Sequence, residues 1–275
     1  MANVSMANEL GELEALLADA GFVAAEEEAK ELLSRAGGDV VFLESLAGRR
    51  LTGEPLAWII GNVTFCGIEM QIDPGVYVPR GQSESLARRA VDRLPSDGTA
   101  IDLCTGAGAM AKILSMSRPD AWVVASDLDH NAVSCASANG VEVYCGDLFE
   151  PLPNSLEGRV DVVVGVVPYV PTPSLQLLPS DTFVFESTLA YDGGADGTAI
   201  LRRVLNDSTR FLRGGGALLL ELGGEQADAL GDDLQRLGYL DTVVLIDEDG
   251  DVRGIETTFG ELARDVRVGA GTGQR

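Results

Sequence analysis

Three aspartates, each at the end of a short apolar run, are the residues of this chain best placed to do chemistry. Asp102 follows Ala100-Ile101 and opens Leu103-Cys104-Thr105-Gly106-Ala107-Gly108-Ala109. Asp127 closes the run 121–126, and Asp147 follows the run 141–144. A fourth run, 160–167, ends in Pro168-Tyr169. A strand that ends in a small-residue turn and opens a helix lets backbone N–H groups approach a ligand, because no Cβ stands in the way. Carboxylates at successive strand ends accept hydrogen bonds from the hydroxyls of a ribose and the exocyclic amine of an adenine. The full Gly-x-Gly-x-x-Gly cradle for a pyrophosphate is missing from the turn. The ligand these residues suit is therefore an adenosine without a pyrophosphate, and S-adenosylmethionine meets that description. On this reading Thr105, Gly106 and Gly108 approach the cofactor, and Asp102 lies near its methionine ammonium.

An aspartate at the end of a strand also caps the helix that follows. Asp129 is available to cap the helix that His130 begins, which leaves Asp127 for the ribose. His130, the only histidine, reads as a surface residue of a first helical turn, not as a catalytic base. No side chain stands out as an essential general base. The four cysteines, Cys66, Cys104, Cys135 and Cys145, lack Cys-x-x-Cys spacing and lie in stretches that read as buried. They fit a reduced, cytoplasmic compartment better than a disulfide framework or a zinc site, and no metal is expected.

The elements that must hold these residues follow from hydrophobic periodicity. Residues 6–47 read as helices separated by glycines, with Asp39 placed to cap the third. Alternation on either side of Gly67, within 54–80, reads as a β-hairpin. From residue 84 the pattern is helix 84–93, strand 99–103, helix 108–117, strand 121–126, helix 130–138 and strands 141–145 and 160–167. Helix 197–212, strand 216–222, helix 225–237 and a closing pair, 242–247 and 253–260, complete it. Alternating strands and helices predict an α/β fold with helices on both faces of the sheet, an architecture common among Rossmann-like class I methyltransferases. Its sheet is mostly parallel with an antiparallel C-terminal strand, because the last connection is too short for a crossover. The expected organisation is a small helical domain over 1–50, a β-hairpin linker over 51–82, the methyltransferase domain over 83–266 and a disordered tail over 267–275.

Bulk properties narrow the partners. With 275 residues and 45% hydrophobic content the chain holds a sizeable core. A net charge of −23 argues against nucleic acid and anionic membranes, which need a basic surface. A protein or a small-molecule acceptor remains open. No apolar run reaches the roughly 18 residues of a membrane span, and the N-terminus lacks the pattern of a signal peptide, so a cytoplasmic protein is expected.

Several segments together carry a family resemblance. Glu54-Pro55-Leu56-Ala57-Trp58-Ile59-Ile60-Gly61, Val78-Pro79-Arg80, the Asp102 turn, Gly146-Asp147-Leu148-Phe149 and Asp192-Gly193-Gly194-Ala195-Asp196-Gly197 occur in the order of the HemK-type family. The chain resembles these S-adenosylmethionine-dependent methyltransferases, which modify a glutamine side-chain amide of release factors, over roughly residues 50 to 260. The resemblance implies a helical N-terminal domain, a hairpin linker and a Rossmann-like catalytic domain. It places the cofactor along Thr105, Gly106, Gly108, Asp127, Asp147 and Leu148. It also sets Arg80 at the cofactor mouth or in an ion pair.

The departure lies where the family has Asn-Pro-Pro-Tyr. Here the residues are Val166-Val167-Pro168-Tyr169, the expected acceptor-binding segment. The family's asparagine accepts a hydrogen bond from the amide –NH₂ to be methylated, and valine offers no acceptor. An orienting bond left unmet in a buried site costs about 1–3 kcal/mol. The acceptor is then a protein glutamine, oriented by the Val167 and Pro168 carbonyls, or a small molecule. Aminocarboxypropyl transfer or cyclisation of the same cofactor, and a retired protein that only binds, are the alternatives. Glu186 and Asp192, after the fourth strand and near where a substrate would enter, read as solvated surface acids, with pairing to a cationic substrate as the alternative.

Overall fold

A computed structural model describes residues 2–178 and 182–260, so the tail expected at 267–275 lies outside the described residues. The chain divides into two compact units, Met1–Val63 with Ile72–Pro74, and Thr64–Gln71 with Gly75–Arg275.

The first unit holds helices α1 (Ala2–Asp19), α2 (Ala25–Ala36), α3 (Val40–Leu51) and α4 (Leu56–Ile60). Leu13 and Leu17 of α1, Leu32 of α2, Leu46 of α3 and Ile59 of α4 share one buried cluster. Their spacing within each helix keeps the apolar side chains on one face. Asp39 caps α3 as expected, accepting the Phe42 N–H at 3.0 Å. The segment before Gly61 forms α4 where sequence alternation led straight into the hairpin. Burial of Trp58 and Ile59 favours that helical turn over extension.

Strands β1 (Asn62–Phe65) and β2 (Ile68–Gln71) form the expected hairpin. It turns through Cys66 (φ 50°) and Gly67 (φ 76°), both left-handed, the backbone that matches the twist of a two-residue hairpin.

The second unit carries α5 (Glu84–Arg93), β3 (Thr99–Leu103), α6 (Ala109–Ser117), β4 (Trp122–Asp127), α7 (His130–Ala138) and β5 (Glu142–Cys145). There follow β6 (Val160–Gly165), α8 (Thr182–Phe185), α9 (Ala199–Phe211) and β7 (Leu212–Glu221). The chain closes with α10 (Gln226–Ala229), α11 (Gly231–Arg236), β8 (Tyr239–Ile246) and β9 (Val252–Phe259). The sheet order is β5-β4-β3-β6-β7-β9-β8. Strands β3 to β7 are parallel, and β9 runs antiparallel between β7 and β8. This is the expected Rossmann-like α/β architecture. Strand order reverses between β3 and β6, and a crevice opens at the carboxyl ends of strands at such a point.

Burial explains the strands. Val160, Val162, Val163 and Val164 of β6 are all fully buried, as a central parallel strand covered on both faces requires. On α9, Leu201, Val204, Leu205, Ser208 and Phe211 form the buried face.

Four details differ from the sequence expectation. β6 stops at Gly165, so residues 166–169 leave the sheet as a loop. β7 begins at Leu212, directly after α9, because Val160 pairs Leu212 while Val162 pairs Ala217. The extra residues bulge around Gly216, where a Cβ would stand 2.8 Å from the Val160 carbonyl oxygen. The helix expected over 225–237 is two short ones, parted at Leu230 just before Gly231, a poor helix former. Finally, only Cys135 is buried; Cys145 is exposed because β5 is an edge strand. Among the described residues no helix is long and apolar enough to cross a membrane.

Candidate active site

The ends of β3, β4 and β5 bring the three sequence-predicted aspartates to one edge of the sheet. Asp102 is 1% exposed. Its Oδ2 accepts the Thr105 hydroxyl at 2.5 Å and the Ala111 N–H at 3.1 Å. Its Oδ1 is buried with no hydrogen-bond partner. Burial pushes the Asp102 carboxyl up to about 7, against the downward pull of the Thr105 and Ala111 hydrogen bonds. Asp127 is held differently: Oδ2 accepts the Gly106 N–H at 2.8 Å and Oδ1 the Asp129 N–H at 2.9 Å. Burial raises its pKa too, in part offset by those N–H groups. Asp129 caps α7 as predicted, accepting the Asn131 N–H at 2.8 Å, and His130 is exposed in its first turn.

The turn between β3 and α6 is left-handed at Cys104 (φ 54°), Gly106 (φ 56°) and Gly108 (φ 85°). Cys104 is the one side chain there to bear that strain, which costs a non-glycine residue about 1–2 kcal/mol. The two glycines serve different ends. Beside Gly106 the nearest atom to a built Cβ is the Tyr77 carbonyl oxygen at 3.8 Å, so the turn stays open. At Gly108 a Cβ would meet Val141 Cγ2 at 2.8 Å and Ala136 Cβ at 3.1 Å, so this glycine lets α6 start close against its neighbours.

Asp147 Oδ2 accepts Arg203 Nη2 of α9 at 2.8 Å. Leu148, next to it, is buried with φ 49°, and its carbonyl accepts the Ser126 hydroxyl at 2.6 Å. A bulky residue held in this region marks a place where the surrounding structure over-determines the backbone.

The loop after β6 carries the other predicted site residues. Val166 and Pro168 are half-buried, whereas Val167 is 1% exposed and packs into the main core. Its side chain therefore serves the core, and only its backbone remains for a ligand. Tyr169 is fixed at both ends. Its carbonyl accepts Gln226 Nε2 at 2.6 Å, and its hydroxyl donates to Glu221 Oε1 at 2.9 Å. Gly193 and Gly197 pack on its backbone so closely that a Cβ at Gly193 would stand 2.7 Å from Tyr169 Cα. Burial, then the Glu221 charge, drive the Tyr169 phenol well above the usual tyrosine range. Tyr169 also walls a cavity of about 460 Å³ shared with Gly223, Gly224, Gly250 and Arg253. That cavity lies on the β7 side of the loop, away from the ends of β4 and β5.

Two acids stand out that the sequence reading passed over or misjudged. Glu221, the last residue of β7, is 2% exposed and accepts Tyr169, Ser83 and Gln82. It closes an apolar parallel strand as Asp127 does, and the same strand-end rule applied to residues 216–222 finds it. Glu186 was expected on the solvated surface and is instead buried, because Arg80 at 3.2 Å and the Tyr191 hydroxyl satisfy it. Arg80 thus forms an ion pair, and its guanidinium also lies 5.3 Å from the Tyr77 ring centroid. Asp192 is half-buried, accepting the Thr172 hydroxyl and the Gly194 N–H.

Among the described residues no cluster of three or more metal-ligating side chains occurs. No family model matches the chain. It is 33% identical to the release factor glutamine methyltransferase of Geobacter sulfurreducens over 211 residues, 74% of this chain and 73% of that protein. It is 34% identical to the release factor glutamine methyltransferase of Neisseria gonorrhoeae over 229 residues, 79% of this chain and 83% of that protein. A solved methyltransferase from Pyrococcus furiosus superposes with a TM-score of 0.52 at 17% identity, covering 71% of this chain and 90% of that one, a likeness of fold alone. Identity of 33–34% over about three quarters of the chain decides the matter: the chain belongs to the release factor glutamine methyltransferases, S-adenosylmethionine-dependent enzymes of the class I fold.

Proposed function

We propose that this chain methylates the side-chain amide nitrogen of a protein glutamine, with a release factor as the first acceptor to test. The observation that carries the cofactor half of this reading is the orphaned Oδ1 of buried Asp102. A buried polar atom without a partner costs about 1–3 kcal/mol, and a cationic donor from a ligand relieves it. The methionine ammonium of S-adenosylmethionine is such a donor. Thr105, Gly106 and Gly108 shape the turn around it, Asp127 serves the ribose, and Asp147 with Leu148 borders the adenine. When bound, the cofactor supplies an electrophilic sulfonium methyl group.

The chain's own contribution to the reaction is orientation. Asp102 and Asp127 are fixed by backbone N–H groups before any ligand arrives, so little reorganisation accompanies binding. The loop 166–169 is held by Gln226 and Glu221 and presents Pro168 and Tyr169 as a frame for a planar group. Holding a nucleophile in line at near-attack distance supplies several kcal/mol of a barrier without a base. The reading includes a helical domain to residue 50, a linker over 51–82 and a catalytic domain over 83–266. A net charge of −23 suits a protein acceptor in the cytoplasm over nucleic acid.

Val166 favours a second reading, a small-molecule acceptor, because it removes the polar group that would orient an amide. Calorimetric titration with S-adenosylmethionine, followed by incubation with release factor, separates the cases. S-adenosylhomocysteine with a 14-Da gain on a release factor glutamine is the expected result. S-adenosylhomocysteine formed only with small-molecule extract moves the second reading forward. Methylthioadenosine, or no binding, removes methyl transfer altogether.

A further inference from the structure

Among the described residues of the second unit, three glutamates are buried: Glu186, Glu221 and Glu256. Glu186 pairs with Arg80, and Glu256 with Arg89 and Arg93. The hydrogen-bond partners of Glu221 are all neutral: the Ser83 hydroxyl at 2.5 Å, Gln82 Nε2 at 3.1 Å and the Tyr169 hydroxyl at 2.9 Å. A buried carboxylate without a cation is costly, and an apolar residue at a strand end contributes more to stability. What the carboxylate does, and an apolar side chain cannot, is draw three donors from two separate segments, residues 82–83 and Tyr169, to one point.

Tyr169 is the donor with consequences. Its backbone is clamped by the Gln226 amide and by the close approach of Gly193 and Gly197. Only the phenol is left to swing, and it walls the cavity shared with Gly223, Gly224, Gly250 and Arg253. A carboxylate has no proton to give, so the phenol must donate to it, and this fixes the ring's direction as well as its place. With valine at 166 no side-chain acceptor aligns an incoming group, and the rigidity of this wall matters more.

We infer that Glu221 is a positioning residue of the acceptor site, acting by locking the Tyr169 phenol. The role in turnover rests on the proposed methyl transfer; the lock itself does not. Glu221→Met comes near the volume and removes the acceptor altogether, where an amide would keep an acceptor oxygen, and Tyr169→Phe removes the donor.

The test combines turnover with release factor, calorimetric binding of S-adenosylmethionine, and NMR of protein labelled with ¹³C at tyrosine Cζ. The Tyr169 resonance is assigned by its loss in Tyr169→Phe. The lock predicts that this resonance moves in Glu221→Met without any acceptor present. It predicts that KM for release factor rises about tenfold in either variant, the effect of one orienting hydrogen bond, while cofactor affinity stays within about twofold. The double variant should be no worse than either single one, since both break the same contact. An unmoved Cζ resonance overturns the lock whatever the activity. Cofactor affinity falling in parallel with KM, or strictly additive effects, overturns the positioning role and leaves a structural one. A moved resonance in a protein inactive on release factor keeps the lock and retires the glutamine acceptor instead.

Discussion

The Asp127 carboxylate accepts the Gly106 N–H at 2.8 Å, which ties the end of β4 to the turn that follows β3. One residue therefore sets the shape of the glycine turn, and on the proposed reading it also serves the ribose. Asp127→Ala should weaken S-adenosylmethionine binding by about 10- to 100-fold, the loss of one to two charge-assisted hydrogen bonds. Calorimetry reads this directly. Unchanged affinity would show that the ribose does not sit at Asp127.

Asp102 should make cofactor binding depend on pH. Its folded pKa of about 7 lies above its ordinary 3.8. Between about pH 4 and pH 7 the folded state holds a proton that the unfolded chain has lost. On this group's account, stability without ligand is present at low pH, falls as pH rises through that window and levels off above it. A cationic ligand group prefers the ionised carboxylate, so S-adenosylmethionine affinity should drop as pH falls below 7, with proton release on binding. Asp102→Asn should flatten the profile. Titrations in buffers of different ionisation enthalpy count the protons, and an equally steep profile in the variant would assign the effect elsewhere.

Val166→Asn restores a side-chain acceptor at the start of the post-β6 loop. Glutamine methylation on release factor should rise about tenfold, as one regained orienting bond predicts. Competition between wild-type and variant turnover on the same acceptor measures it. Identical rates would mean that residue 166 does not face the acceptor.

Gly197 has φ 75°, and a Cβ there would collide with the Tyr169 carbonyl oxygen and the Gln226 amide. Gly197→Ala should destabilise the protein by about 1–3 kcal/mol through left-handed strain and overpacking. With Tyr169 framing the acceptor as proposed, S-adenosylmethionine affinity should change little while KM for the acceptor rises. Thermal denaturation and calorimetry together decide it; a protein of unaltered Tm would show that the loop relaxes freely.

How much of this was legible beforehand depends on the range of the contacts involved. Asp102, Asp127 and Asp147 were readable because each ends an apolar run, and parallel strands deliver all their carboxyl ends to one edge. The turn glycines and the caps at Asp39 and Asp129 are settled within a few residues of backbone, so local pattern was enough. The bulge in β7 was not, because it exists only where Val160 and Val162 pair with residues five apart.

Sequence alone determined the α/β order, the strand-end acids and the valine at 166 where the resembled family has asparagine. Each is a property of residues adjacent in the chain, where side-chain period and turn chemistry act directly. Only the tertiary structure decided which acids are buried and what holds them. Glu186 meets Arg80 across 106 residues, Asp147 meets Arg203 across 56, and Tyr169 meets Glu221 across 52. Desolvation depends on what the folded chain packs around a carboxylate, and no spacing along the sequence carries that information.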